Sequence, residues 1–107
     1  MSDNMRLQFT KQARTEYLRI VSVFAEFAGV RSAGIFIDRV KDKGEMLLKH
    51  PFMGHPETLL SGRSHGYRAI SINKNYRMVY FVSNDTIWIV DFWDRRNNPA
   101  KLVARIK

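Results

Sequence analysis

Between Gly66 and Asp94 the chain runs in three stretches rich in β-branched and aromatic residues, separated by two short polar breaks. The pattern predicts strands over Gly66–Asn73, Tyr76–Ser83 and Thr86–Asp94. The breaks, Asn73-Lys74-Asn75 and Ser83-Asn84-Asp85, carry residue types that tolerate left-handed backbone, so the strands form an antiparallel meander. Upstream the apolar period lengthens to three or four residues. Ala13, Tyr17, Ile20, Val21, Phe24 and Phe27 predict a helix over Lys11–Phe27, with Thr10 as its N-cap and Gly29 just past its end. Ala33, Phe36, Ile37, Val40, Leu47 and Leu48 predict a second helix over Ser32–Lys49. Gly44 falls inside its apolar face, permitting close packing against the first helix or marking a kink.

The remaining segments are short. Met1–Asn4 is polar and aperiodic, a frayed start, and Met5–Phe9 predicts a brief strand. His50–Ser64 is irregular, punctuated by Pro51, Gly54, Pro56 and Gly62, with Leu59 and Leu60 expected to tuck under the sheet. After the turn Asn97-Asn98-Pro99, residues Ala100–Ile106 form either a short helix or a loose tail. The expected fold is α+β, one domain over 1–107: an N-terminal strand, an αα-hairpin, then a three-stranded antiparallel meander with the helices on one sheet face.

Strict alternation assigns the faces. Arg68, Ile70 and Ile72 share one, with Arg77, Val79 and Phe81, and with Ile87, Ile89, Asp91, Trp93 and Arg95. The three arginines thus lie together unless a bulge intervenes. Both faces are more apolar than a solvated sheet requires. Helices are expected on one, and a partner or the C-terminal tail on the other.

Charge narrows the class. Eighteen Lys and Arg against ten Asp and Glu leave +8 on 107 residues, which points to a polyanion or an acidic protein as partner. No apolar run is long enough to span a bilayer, and no signal peptide or basic amphipathic helix indicates a membrane role. The lack of cysteine excludes a disulfide framework and thiol chemistry, and fits a cytoplasmic location. His50, His55 and His65 lack helical i,i+4 spacing, so neither a metal site nor a cofactor is expected. Phosphate-cradling glycine loops and a serine nucleophile elbow are missing from the sequence.

Arg68, Arg77 and Arg95 are the sharpest candidates, since guanidinium forks match phosphate and stay charged. The competing reading makes them solvated arginines or partners of Asp91 and Asp94. His65, just before the first meander strand, has the right chemistry for an acid or base near neutral pH, against the plainer reading of a loop histidine. Trp93 falls on the arginine face by alternation and is a candidate for stacking on a base. Lys74 and Arg96 add cations at the strand ends.

These pieces together resemble the RelE/ParE superfamily of type II toxin–antitoxin toxins. The resemblance rests on Phe9-Thr10-x-x-Ala13 entering the hairpin, the run His50 to Gly54, Gly66 to Ile70, Asn75 to Tyr80, and Asp94 to Pro99. It implies the same small α+β fold and a cognate antitoxin as partner. RelE-like members are metal-independent endoribonucleases that cut mRNA on the ribosome. By that analogy Arg68, Arg77 and Arg95 would hold and polarise the scissile phosphate, with His65 or Lys74 moving the proton. ParE-like members instead poison DNA gyrase and are not nucleases. Two positions depart from the RelE pattern: Ile70 replaces a second basic residue, and Lys101 stands near the place of a C-terminal tyrosine. The expected function is the ribosome-dependent nuclease, with gyrase inhibition as the alternative.

Overall fold

The computed structural model describes residues 5–106, so the expectation for Met1–Asn4 lies outside it. The chain runs β1 (Arg6–Phe9), α1 (Lys11–Phe27), α2 (Val30–Lys49), β2 (His55–Pro56), a 3-10 turn (Thr58–Leu60), β3 (Arg68–Ser71), β4 (Tyr76–Ser83), β5 (Thr86–Asp94) and α3 (Pro99–Arg105). The five strands form one sheet in the order β1-β5-β4-β3-β2. The expected meander is β3-β4-β5, and β1 adds parallel to β5 with Leu7 beside Ile87 and Phe9 beside Ile89.

The local signals act as their chemistry requires. The Thr10 hydroxyl accepts from the Ala13 N–H at 3.2 Å and caps α1. Gly29 takes φ +94° between the helices, a conformation costly for any side chain with a Cβ. Asn84 takes φ 55° and closes the β4–β5 turn. Gly44 packs differently from expectation. A Cβ there would meet only Leu7 Cδ1, at the ordinary contact distance of 3.4 Å, so Gly44 faces β1 and not α1, its lack of a side chain is not what the packing requires, and the helix runs through unbroken.

The hairpin α1–α2 covers one side of the sheet. Ile20, Phe36 and Leu47 bury Ile70, Met78, Tyr80, Ile87, Ile89 and Phe92 beneath them. A chain of rings runs through this core, from Phe9–Phe92 at 5.5 Å to Phe24–Phe36 at 5.3 Å. The opposite side has its own smaller core, in which α3 and the 3-10 turn place Leu102, Ile106 and Leu60 over Val79, Val90 and Trp93. The C-terminal stretch is therefore a helix that folds back over the sheet. Asn98 caps it by accepting from the Ala100 N–H at 3.0 Å, with Pro99 in its first turn.

Two features overturn the expected face assignment. Val79 stands opposite Asp91 while Tyr80 stands opposite Ile89, so Val90 is an extra residue and β5 changes parity there. Ile87 and Ile89 thus point to the hairpin, whereas Trp93 points away from it. In the other ladder Ile70 pairs with Met78 and Ser71 with Arg77, so Ile70 and Arg77 lie on opposite sides. The apolar residues expected on an open arginine face are mostly buried by the hairpin or by α3.

Candidate functional site

The cations gathered in one place lie at the end of the sheet where the β3–β4 turn meets the end of β5. The Asn73 side chain shapes that turn by accepting from the N–H groups of Asn75 at 2.9 Å and Tyr76 at 2.8 Å. The Arg95 N–H donates to the Asn75 carbonyl at 2.7 Å, which seats the end of β5 beside the turn. Lys74 and Arg95 are exposed there and form no ion pair among the described residues. Arg96 is exposed too, but its fork closes on Asp94 with Nε–Oδ1 2.9 Å and Nη2–Oδ2 2.8 Å, holding that carboxyl below its ordinary range.

Arg77 and Trp93 stand opposite one another in the β4–β5 ladder, on the side covered by α3. Trp93 is 1% exposed, so the stacking role expected for it is closed off in this fold. Arg77 Nη2 lies 2.8 Å from Glu57 Oε1, and Glu57 is itself buried. The approach is off the hydrogen-bonding direction, so neither Glu57 Oε1 nor Arg77 Nε makes a well-aligned hydrogen bond. The contact is a buried ion pair, and Arg77 is neutralised by it.

Arg68 lies elsewhere. It pairs with Tyr80 and so sits on the hairpin side of the sheet. Its Nη1 donates to the carbonyls of Gly54 at 2.6 Å and Phe52 at 3.2 Å, and its guanidinium lies 5.3 Å from the centre of the Phe52 ring. Arg68 pins the loop that follows α2. The expectation that Arg68, Arg77 and Arg95 share one face is thus corrected. Arg77 is on the α3 side, Arg68 is on the other, and Arg95 lies past the end of β5, beside the β3–β4 turn.

His65 stacks on Phe81, ring centres 3.9 Å apart, with Tyr67 edge-on at 5.9 Å. Phe81 is four residues along β4 from Arg77, which is about 13 Å. His65 is therefore out of hydrogen-bonding reach of the Arg77 head group. It borders a cleft of about 340 Å³ lined also by Gln12, Arg105 and Ile106. Among the described residues no group of three His, Asp or Glu side chains converges to hold a metal ion. No helix among them is long and apolar enough to cross a membrane.

A family model of the ParE toxin of type II toxin–antitoxin systems (parDE) matches residues 7–99. The chain belongs to the ParE toxin family. A search of curated protein sequences gave no match. Solved structures share the fold. The chromosomal ParDE system of P. aeruginosa superposes with a TM-score of 0.68 at 16% identity, covering 85% of this chain and 96% of the other. A YoeB/ParE toxin from Agrobacterium tumefaciens gives 0.61 at 23% identity over 84% and 98% of the two chains. The YoeB dimer of Staphylococcus aureus gives 0.59 at 20% identity over 84% and 95%.

In this ParE-family chain α3 continues beyond the matched span and is tied down by residues that, Asp91 apart, the sequence did not single out. Arg63 donates to the Ile106 carbonyl and, at 2.9 Å, to that of Val103, satisfying free acceptors at the C-terminal end of α3. Arg105 Nη2 lies 2.5 Å from Asp91 Oδ1 and 3.6 Å from Glu16, with its guanidinium 5.6 Å from the centre of Trp93. Each of these partners is distant in sequence, and no local spacing marks them.

Asp91 is fully buried, and its Oδ2 has no hydrogen-bond partner among the described residues. Burial outweighs the attraction of Arg105 and raises its carboxyl to about 6. Between about 3.8 and about 6 the native state therefore holds a proton that the unfolded chain has released. Between those values stability falls as pH rises, and above about pH 6 the whole penalty of about 3 kcal/mol is present. Melting curves from pH 4 to pH 7 should show a falling component that Asp91→Asn removes. An unchanged profile in that variant would assign the pH dependence to other groups.

Proposed function

We propose that this toxin acts on DNA gyrase by binding, as ParE-like members do, and that it does not cleave mRNA. The observation that carries this reading is the dispersal of the phosphate-binding set. Arg68 is engaged with loop carbonyls on the hairpin side, Arg77 is neutralised by Glu57, and Trp93 is sealed under α3. A nuclease site needs its cations and its proton-transfer group around one phosphorus. Here the exposed cations Lys74 and Arg95 are at one end of the sheet and His65 is beside Phe81, further along β4. The ribosome-dependent endoribonuclease reading has the His65 cleft and its Arg105 in its favour, but Arg68, Arg77 and Arg95 are not among the residues that line that cleft.

The expected partners are a cognate antitoxin and gyrase, in the cytoplasm. The antitoxin draws support from the ParDE system and the DinJ-YafQ toxin–antitoxin complex of E. coli, which have the same fold, the latter at a TM-score of 0.57. Expression without an antitoxin should arrest growth with an SOS response and double-strand breaks, while bulk transcripts stay intact. Transcripts cut within minutes and stalled translation, with no SOS response, would replace this reading with the nuclease.

A further inference from the structure

The end of the molecule that carries Lys74 and Arg95 also carries the apex of the helical hairpin, and the apex is apolar. Phe27 is 77% exposed and Val30 is 80% exposed, the two most exposed large apolar side chains among the described residues. They flank Gly29, and Phe24 already fills the interior place beneath them, in contact with Phe36 and Tyr76. Beside them opens a pocket of about 220 Å³ lined by Val23, Phe24, Phe27, Tyr76, Asn75 and Arg96. Asn75 and Arg96 border that pocket, so one shallow surface joins the apolar knob and pocket to the turn and strand end that carry Lys74 and Arg95.

We propose that this surface is where the toxin engages its protein target, through an acidic patch that presents one apolar side chain to the pocket. The inference rests on the gyrase reading above and names the face that would dock. Charge complementarity supports it. Lys74, Arg95 and Arg31 form no ion pairs among the described residues, while Asp94 and Glu16 nearby are engaged by Arg96 and Arg19. Glu26, exposed in the last turn of α1, leaves this end net positive. Apolar centre and charged rim is the arrangement of protein interfaces, in which the centre carries affinity and the rim steers encounter. A second copy of the chain is disfavoured as occupant, because each copy brings +8. A nucleic-acid backbone is disfavoured because it offers no apolar group for the pocket.

The test uses full-length toxin and purified gyrase holoenzyme, reading both binding affinity and inhibition of supercoiling. Phe27→Ser/Val30→Ser and, separately, Lys74→Glu/Arg95→Glu should each weaken binding about tenfold or more. Leu18→Ser, an exposed position elsewhere on α1, should leave binding unchanged. The charge reversal alters exposed side chains only, so it reads the surface even if the apolar variant melts early. Full binding by both double variants alongside an active wild type overturns the docking face and leaves the gyrase reading standing. A wild type that neither binds nor inhibits gyrase overturns both. Wild-type self-association lost in Phe27→Ser/Val30→Ser, or binding of bare duplex DNA lost in parallel with gyrase binding, would assign the surface to another occupant and overturn the proposal.

Discussion

Arg77→Ala should lower stability by about 3 kcal/mol, the lower end of the range for breaking a buried ion pair. For a domain of this size that is a fall of about 10 °C or more in Tm. The reason lies in the partner. The Glu57 side chain is only 4% exposed, and Arg77 is the one cation paired with it among the described residues. Its other oxygen is held by the Leu59 N–H at 3.3 Å, which keeps the carboxylate in place when the guanidinium is gone. Glu57→Gln added to Arg77→Ala removes the stranded charge and should recover most of the loss. The double-mutant cycle, measured by urea denaturation, should give a coupling of about 2 kcal/mol. Additive single effects would show that the pair contributes no more than a surface contact. A loss of toxicity in Arg77→Ala must therefore be read beside its melting curve. Lys74 and Arg95, exposed and outside the ion pairs, are the cleaner positions for testing function.

Gly54→Ala should destabilise the fold by about 3 kcal/mol, at the upper end of the overpacking range. A Cβ at Gly54 would lie 2.7 Å from the Tyr80 hydroxyl and 2.8 Å from the Ala69 carbonyl. The carbonyl belongs to β3 and moves only with the sheet, while Tyr80 is fully buried under the hairpin. Gly54 also donates its N–H to the Tyr80 hydroxyl at 3.0 Å and its carbonyl accepts from Arg68. Pushing the loop outward breaks both bonds and exposes Tyr80. Tyr80→Phe vacates the hydroxyl position and should restore part of the stability of Gly54→Ala, a recovery that thermal melts will resolve. A Gly54→Ala protein that melts like wild type would mean that the 50–54 loop docks more loosely than these contacts require.

These two sites mark where reading the chain stops short. The helix periods of Ala13 to Phe27 and Ala33 to Leu48, the Thr10 cap, the Gly29 break and the Asn84 turn are local properties, set by side chains within a few residues of one another. They placed the hairpin and the meander, and the assembled motifs placed the chain in its toxin superfamily. Which strand residues face which core was beyond such reasoning, because one extra residue at Val90 reverses every side chain after it. The same holds for the arginines. Their charge is written in the sequence, but whether a guanidinium meets Glu57, the Gly54 carbonyl or solvent depends on segments 14 to 21 residues away. Composition determined that this protein is basic, and the strand pattern put Lys74, Arg95 and Arg96 at strand ends. Only the packing of α3 over Trp93, and of Phe24 beneath Phe27, decided which aromatic is core and which stands exposed beside those cations. Burial belongs to the whole chain, since water is excluded by neighbours that no local spacing encodes.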